Sequence, residues 1–534
     1  MKVEPGAKGE VLIVVATDVH GRYSSVSSLD GKPQDFGLDR LHSYLNQKRH
    51  AGAEVLLIDN GDSMQGAPLV DLFDFEGPLE HPMNLTHRLL GFDAFVPGNH
   101  EFNFGLKNLK QVAAAAPVPW LCANLTEGQS DSPLFGAIQV FDKGGIKIGV
   151  LGLITEFVPR WEHKSMIPDL NFLSAIVAAR TWVPRLRSQC DLLVVCYHGG
   201  FHQDPETGEV WCYDSLENQG EEIVKAVPGI DLLVTGHQHR RFLYHPQETG
   251  RPWMVQSGAY GQCWAEVKVR KSNSGQGWEL APRLVESVEY PADPSLQTAF
   301  AAHLKEIHHA LGTKLGTADS SFLIHDPMHQ VWLKKHPMIQ WINDLIAKHT
   351  SAQVVCTSLL DGALPGLPAE VTLKDVLENY FFLDNLCVIH VTGALLKEAL
   401  EQVASFFALN WEKDGEPKIT VNAKWRGVRV RSYNYDIFDG IDYGFDLAQP
   451  IGQRLAYLRF QGQPVAPTDH LTLGLTTYRA QGAFYQMFNA EQIIQEFPEK
   501  VTDLMVADLK ATSHLKVEPR QNFQVFFSEP QGKT

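Results

Sequence analysis

This 534-residue chain carries only seven cysteines, an odd number with no CxxC pair among them. That is too sparse for a disulfide scaffold or a thiolate-rich zinc site, and it reads as free thiols in a reducing compartment. Long apolar runs are missing too. The longest, such as Val11–Ala16 and Leu192–Cys196, are strand-sized, well short of the ~18 residues that a spanning helix needs. Positive charge is scarce: 46 Lys and Arg against 62 Asp and Glu leave a net charge of −16. Such a balance disfavours coating of long DNA or RNA, because affinity for the phosphate backbone comes from Lys and Arg. It also leaves any anionic substrate in need of a local positive centre, which a bound metal supplies. Neither a P-loop nor a GxSxG nucleophile elbow occurs, and no fixed-period repeat or low-complexity tract is present. The start, MKVEPGAKGEVLIVVATD, meets Thr17-Asp18 after six apolar residues. It lacks the apolar region and small-residue cleavage site of a signal peptide. A cytoplasmic location is therefore expected, with export by a signal absent from this chain as the alternative.

What is present is a large core. The chain is 44% hydrophobic and 10% aromatic, and its length suits several domains of roughly 100–200 residues. The first half alternates short apolar runs with amphipathic stretches, which predicts α/β structure. Strands are expected at Val11–Ala16, Val55–Ile58, Ala94–Val96, Ile148–Ile154, Leu192–Cys196, Leu232–Val234 and Trp253–Val255. Helices are expected at Leu38–His50 and Leu216–Val227. Composition changes near residues 270–300, where Lys271–Arg283 is turn-rich and Ser295–Leu311 has a helical pattern between Pro294 and Gly312. This predicts a linker helix over 291–312 between a domain at 1–290 and another at 313–534. In the second half, helices are expected at Met338–His349, Ala394–Phe407 and Val501–Ala511, and strands at Leu386–Val391, Leu455–Phe460 and Leu471–Thr476.

The chemistry lies just after the first-half strands. Five of them run into Asp18-Val19-His20-Gly21, Asp59-Asn60-Gly61-Asp62, Gly98-Asn99-His100-Glu101, His198-Gly199-Gly200 and Gly236-His237-Gln238-His239. Open α/β sheets place their ligands at the carboxyl ends of strands. In an extended chain, Asp18 and His20 point the same way, as do His237 and His239. Imidazole, carboxylate and amide oxygen without thiolate suit Mn²⁺, Zn²⁺, Fe or Co better than Ca²⁺. DxH alone fits a helix-capping Asp as readily as a ligand; a paired GHxH after a buried strand points more firmly to metal.

The order DxHG, GD, GNHE, H, GHxH resembles the calcineurin-like metallophosphoesterase signature, and the second half extends the resemblance to the two-domain 5′-nucleotidase family. The segments GNHEFNFG (Gly98–Gly105), YNYDIFDGIDYGFDLAQP (Tyr433–Pro450) and TTYRAQGAF (Thr476–Phe484) are most similar to its bacterial 2′,3′-cyclic-nucleotide 2′-phosphodiesterase/3′-nucleotidase branch. The resemblance implies an α/β fold: a metallophosphoesterase-type β-sandwich flanked by helices, plus a second α/β substrate-recognition domain. It also implies two divalent ions. Asp18, His20 and His239 would hold one, Asn99, His198 and His237 the other, and Asp62 would bridge them, with Asp59 as a structural neighbour and rival. His100 matches the family's catalytic histidine. Where many relatives place an Asp three residues on, this chain has Asn103.

For the second domain the resemblance implies two rings that sandwich a nucleobase. Tyr478 matches one. Phe381 is the choice for the other, with Tyr380 and Phe382 as rivals and Leu383 competing for the slot. The segment Cys356–Pro365 has no Arg, where many 5′-nucleotidases carry one for the phosphate. Arg479 and Arg22 are possible substitutes, although a solvated arginine is the simpler reading of each. The implied activity is hydrolysis of 2′,3′-cyclic nucleotides and 3′-nucleotides by water activated at the metal pair. The alternatives are a 5′-nucleotidase or UDP-sugar hydrolase, a broad phosphomonoesterase, or a catalytically inactive nucleotide-binding sensor. The expected partner is a nucleotide or small phosphoester, with no long nucleic acid and no membrane span. The glycosylation-like Asn84-Leu85-Thr86 and Asn124-Leu125-Thr126 are read as chance.

Overall fold

A computed structural model of the chain describes residues 10–212, 216–246, 250–272, 277–382, 384–411, 417–425, 428–482 and 487–528. Leu383 and the Ala483-Phe484 end of the TTYRAQGAF segment lie outside the described residues. The chain divides into two compact units, Met1–His309 and Ala310–Thr534.

In the first unit the strands are β1 (Val11–Ala16), β2 (Glu54–Asp59), β3 (Ala94–Phe95), β4 (Ile138–Lys143), β5 (Ile146–Ile154), β6 (Leu192–His198), β7 (Leu232–Thr235), β8 (Arg241–Tyr244), β9 (Trp253–Ser257), β10 (Cys263–Lys271) and β11 (Trp278–Glu286). They form one sheet of order β11-β10-β1-β2-β3 and a second of order β8-β9-β7-β6-β5-β4. The near-continuous apolar runs are explained by burial on both faces. Val11, Ile13 and Val15 of β1 meet Val194 and Cys196 of β6 in the core between the sheets. The alternate residues Leu193, Val195 and Tyr197 pack outward against the helix Ala175–Arg187. Each such fully buried side chain contributes roughly 1.5–3 kcal/mol.

Two expectations are corrected here. The turn-rich reading of Lys271–Arg283 is corrected from Trp278 on: Trp278–Glu286 is a strand paired antiparallel with Cys263–Lys271, Lys271 opposite Trp278. Its alternating partly buried residues, Trp278, Leu280 and Leu284, pack on the core as a one-sided strand does. The helical pattern at Ser295–Leu311 is two helices, Pro294–Ala299 and Ala301–Leu311. Phe300, between them, is fully buried against Tyr23 and His303. His303 Nε2 binds the Glu80 carbonyl at 2.8 Å, so this segment is docked on the first unit. Asn84 and Asn124 are buried (1% and 0% exposed), which removes them as glycosylation acceptors in the folded chain.

Glu266 of β10 pins the helix Leu38–His50 to the outer face of the first sheet. Its fully buried carboxylate accepts from Tyr44 Oη and from Arg283 Nε (2.5 Å), and Lys48 Nζ lies 3.1 Å away. Burial raises this carboxyl's pKa, but Arg283, Tyr44 and Lys48 outweigh it and bring the pKa down from 4.5 to about 2. A depressed folded-state pKa means stability that is present above pH ~4.5 and lost as pH falls toward 2. We expect Glu266→Gln to flatten the acid limb of the thermal-stability profile between pH 5 and 2. Of the wild type's advantage over it, about 3 kcal/mol at neutral pH disappears across that window. Parallel acid slopes for the two proteins would contradict this.

In the second unit, β12 (Val354–Thr357), β13 (Asn385–Thr392), β14 (Ile437–Asp439), β15 (His470–Thr476) and β16 (Ile493–Lys500) form a mixed sheet of order β14-β12-β15-β13-β16. The helices Pro337–Thr350 and Gly393–Ala404 supply Ile339, Ile342, Ile346, Leu396 and Leu400 to its core. No helix among the described residues is long and apolar enough to cross a membrane.

Candidate metal centre

The first-unit strands deliver their polar ends to one place from both sheets: Asp18 and Asp62 follow β1 and β2, and His198 ends β6. Among the described residues, two groups have ligand atoms close enough to hold a metal ion: Asp18, His20 and His239, and Asp62, His198 and His237. Asp62 lies toward both. Its Oδ2 is 3.1 Å from His198 Nε2 and 4.0 Å from His20 Nε2. The Asn99 amide oxygen sits 2.8 Å from His237 Nδ1. All seven residues expected as ligands are thus brought together. Asp59 belongs to neither group, since its buried carboxylate accepts from Ser63 Oγ (2.6 Å), His87 Nε2 (2.9 Å) and Gly61 N (3.1 Å).

The backbone reason for convergence is not the expected one. Asp18, His20, Asp62, His237 and His239 all have positive φ, between 51° and 68°. They are left-handed, so the extended-chain argument for i and i+2 fails. His237 and His239 accordingly turn to different groups. Each such residue costs ~1–2 kcal/mol, a cost that persists only where surrounding contacts over-determine the backbone. Those contacts are visible. The Asp18 carboxylate accepts from His237 N at 2.8 Å, and Asp62 Oδ1 accepts from His100 N at 2.9 Å. Packing closes the loops further: a Cβ on Gly98 would run into the Asp62 carboxylate and the His198 ring.

Hydrogen bonds on the outer nitrogens set the tautomers. His20 Nδ1 donates to the Gln65 carbonyl (3.0 Å) and His198 Nδ1 to the Asn60 carbonyl (2.5 Å). Both rings therefore turn Nε2 inward, and His198 Nε2 lies 3.1 Å from Asp62 Oδ2. His237 Nε2 donates to Glu217 Oε1 at 2.9 Å, so its Nδ1 lone pair faces the Asn99 oxygen. Two acceptors at that distance repel unless a cation lies against both.

The charges fit the same conclusion. Burial raises the Asp18 carboxyl to about 7 despite His198. It likewise raises Asp62, but His198 and His100 hold that carboxyl well below the usual range. Burial lowers His20 to about 4 and also lowers His239. Burial also lowers His198, but Asp62 and Asp18 outweigh it and raise that imidazole to about 10, so a divalent ion would have to displace its Nε2 proton. With that proton gone, two carboxylates, four imidazole nitrogens and an amide oxygen make a borderline donor set for divalent ions such as Mn²⁺, Zn²⁺, Fe²⁺ or Co²⁺.

Several contributors were not read from the sequence. Glu217 backs His237. Glu101 accepts from the backbone N–H groups of Asp62, Ser63, Met64 and Gly98 at 2.9, 2.7, 3.0 and 2.5 Å. Tyr260 packs on His20 and His239, and Trp161 on His237. The expected helix Leu216–Val227 hides Glu217 on a helix face, whereas the helix starts at Gly220. Carboxylates behind a metal-binding histidine typically matter 10–100-fold. We expect Glu217→Ala to weaken one of two metal-binding steps by about that factor in calorimetric titration and to leave the other unchanged. Equal weakening of both would show that Glu217 merely holds the fold.

His100 Nδ1 pairs with Asn103 Oδ1 at 2.7 Å, and the His100 ring lies 5.2 Å from that of His20. Burial lowers the pKa of this imidazole, but Asp62, Asn103 and Glu162 outweigh it and leave it raised.

In the second unit a pocket is lined by Phe382, Tyr433 and Tyr478, with Asp384, Asp436 and Arg479 among its polar groups. Phe381 does not line it. Phe382 and Asp384 both line it, whereas Phe381 is 41% exposed, its ring tilted against that of Phe382 at 4.6 Å. Tyr380 is a core residue, 2% exposed, whose edge reaches the pocket. Arg479 is not solvated. It is buried, bound to Asp436 (2.8 Å) and the Tyr433 carbonyl (2.6 Å). Arg22 is partly buried.

Comparison with known proteins agrees with this architecture. Residues 11–241 match the calcineurin-like phosphoesterase family, and residues 314–490 the 5′-nucleotidase C-terminal domain. A 2′,3′-cyclic-nucleotide 2′-phosphodiesterase/3′-nucleotidase of Yersinia enterocolitica is 24% identical over 96% of this chain and 87% of its own. Protein UshA of the same species is 30% identical over 81% of this chain and 78% of its own. A crystal structure of a Staphylococcus aureus protein in complex with alpha-ketoglutarate has a TM-score of 0.82 at 28% identity, covering 97% of this chain and all of that one (100%). With clusters at the strand ends that could hold metal ions and both domain types matched along its length, the chain belongs to the two-domain 5′-nucleotidase family and is a metal-dependent nucleotide phosphoesterase.

Proposed function

We propose that the chain hydrolyses 2′,3′-cyclic nucleotides and 3′-nucleotides. The observation that carries this reading is in the second-unit pocket. Its arginine, Arg479, is already paired with Asp436, and the neighbouring lining residues Cys356, Thr357, Ser358 and Leu360 bring no cation. That pocket suits an uncharged base and ribose rather than a phosphate. Relatives that span nearly the whole chain, from Yersinia enterocolitica and Salmonella typhimurium, bear the cyclic-phosphodiesterase name. The 30% identity to UshA supports a second reading, a 5′-nucleotidase.

When bound, a pair of divalent ions supplies Lewis-acid stabilisation of phosphoryl oxygens and a water of lowered pKa. The chain's residues do the rest. Asp18, His20 and His239 would hold one ion and Asn99, His198 and His237 the other, with Asp62 lying toward both groups. His100, tied at Nδ1, presents its Nε2 to the phosphate or to the departing ribose oxygen. Phe382 and Tyr478 clasp the base, which any base allows through its π-face.

The test is a panel of 2′,3′-cyclic AMP, 3′-AMP and 5′-AMP with Mn²⁺, Co²⁺ or Zn²⁺. Cleavage of the first two is expected, whereas cleavage of 5′-AMP alone would establish the second reading. Tight nucleotide binding with no turnover under any metal would mark a sensor. Tyr478→Ala is expected to raise KM roughly 5- to 150-fold, from ~1–3 kcal/mol of lost stacking, with kcat for a base-free phosphodiester unchanged. An unaltered KM would remove Tyr478 from the site.

A further inference from the structure

We propose that Glu162 is a positioning residue for His100, acting through Asn103. This inference rests on the reading of His100 as the group that faces the scissile phosphate. Asn103 Oδ1 accepts from His100 Nδ1 at 2.7 Å, and Asn103 Nδ2 donates to Glu162 Oε1. A carboxylate only accepts, so Glu162 fixes which end of the amide faces it. The amide oxygen is thereby turned to His100, and because that oxygen also only accepts, the proton must sit on His100 Nδ1. Nε2 is left to meet the substrate.

Without Glu162, a half-turn of the Asn103 amide exchanges its oxygen and nitrogen at little steric cost. An NH₂ group would then face His100 Nδ1, which would accept, and the proton would move to Nε2. An aspartate at position 103 has no such ambiguity, since either oxygen accepts. Asn103 therefore needs a third group where an aspartate would not, and Glu162 stands in that place. Its backbone is anchored: it follows the short helix Val158–Trp161, and its N–H binds the Val158 carbonyl at 3.0 Å. The adjacent Trp161 packs on His237, with ring centroids 5.1 Å apart, so the same segment braces the metal-ligand side of the centre.

The test is a double-mutant cycle in the metal-loaded full-length enzyme: wild type, Glu162→Gln, Asn103→Asp and both together, with His100→Ala alongside. The glutamine of Glu162→Gln can offer either oxygen or NH₂, which frees the Asn103 amide. In the otherwise wild-type background we expect kcat to fall about 10–100-fold, with KM, bound metal and melting temperature little changed. In the Asn103→Asp background the sign reverses. Two facing carboxylates repel, so Glu162→Gln there leaves kcat unchanged or raises it. Nitrogen-15 spectra of histidine-labelled, zinc-loaded protein should show His100 as the Nδ1–H tautomer in the wild type and as a tautomer mixture in Glu162→Gln. An equal loss of kcat in both backgrounds, or an unshifted His100 resonance, overturns the proposal. If His100→Ala retains full turnover, the reading of His100 falls and this inference with it. Lost turnover in His100→Ala with full turnover in Glu162→Gln overturns the inference alone.

Discussion

Asp62→Asn is expected to abolish metal-dependent turnover, with a loss beyond the ~100-fold that an outer partner of a metal site can cost. Asp62 serves three directions at once. Oδ2 faces His198 Nε2 at 3.1 Å and His20 Nε2 at 4.0 Å, and Oδ1 accepts from His100 N at 2.9 Å. An asparagine has one acceptor oxygen and one donor NH₂. Facing the histidines, the NH₂ would occupy the cation's place; facing His100, it would oppose an N–H. Either orientation removes the negative charge shared between the two groups. The substitution keeps the shape but takes away the charge that faces His198 and His100, so the metal-free fold should also lose stability. The expected pattern is a substoichiometric metal content by mass spectrometry, little metal-induced rise in melting temperature, and no turnover. Two tightly held ions per chain and near-normal rates would remove Asp62 from the shared position.

The second large effect concerns folding. Glu101→Ala leaves four backbone N–H groups, those of Asp62, Ser63, Met64 and Gly98, facing a cavity. A buried donor stripped of its partner costs about 1–3 kcal/mol. The sum is a large part of the ~5–15 kcal/mol that stabilises a typical domain. These N–H groups belong to the loops that carry Asp62 and Asn99. Their left-handed and close-packed backbone has no comparable alternative clamp among the contacts described. The variant should express insolubly or melt at least ~10 °C below wild type, with Glu101→Gln, which retains one acceptor oxygen, in between. A Glu101→Ala protein that melts with the wild type would show that water replaces the carboxylate, and that the clamp is dispensable.

Glu101 also shows where reading a sequence stops. It stands inside the GNHE motif, and its neighbours Asn99 and His100 were read as chemistry while it passed as a turn residue. Nothing local says that its carboxylate reaches back to residues 62–64, because that contact is made by the fold. Phe381 against Phe382 is a similar case. Adjacent phenylalanines have equal claims by composition, and only the folded chain shows that Phe382 lines the pocket while Phe381 does not. Arg479 and the Cys263–Glu286 hairpin were misread for related reasons. A charged residue's default is solvent until a buried partner such as Asp436 is known, and a polar, glycine-containing stretch makes the strand beside it look irregular.

The order of residues by itself determined the strands that lead into the centre, since apolar runs of three to seven residues have few other ways to be buried, and it determined which donor types follow them. What only the folded chain decided was their aim. Five of the seven expected ligands reach the centre through left-handed backbone, a conformation that single residues avoid and that is held here by bonds between loops distant in sequence. Identity is a local property of the chain, whereas direction is enforced by contacts that exist only after both sheets have packed.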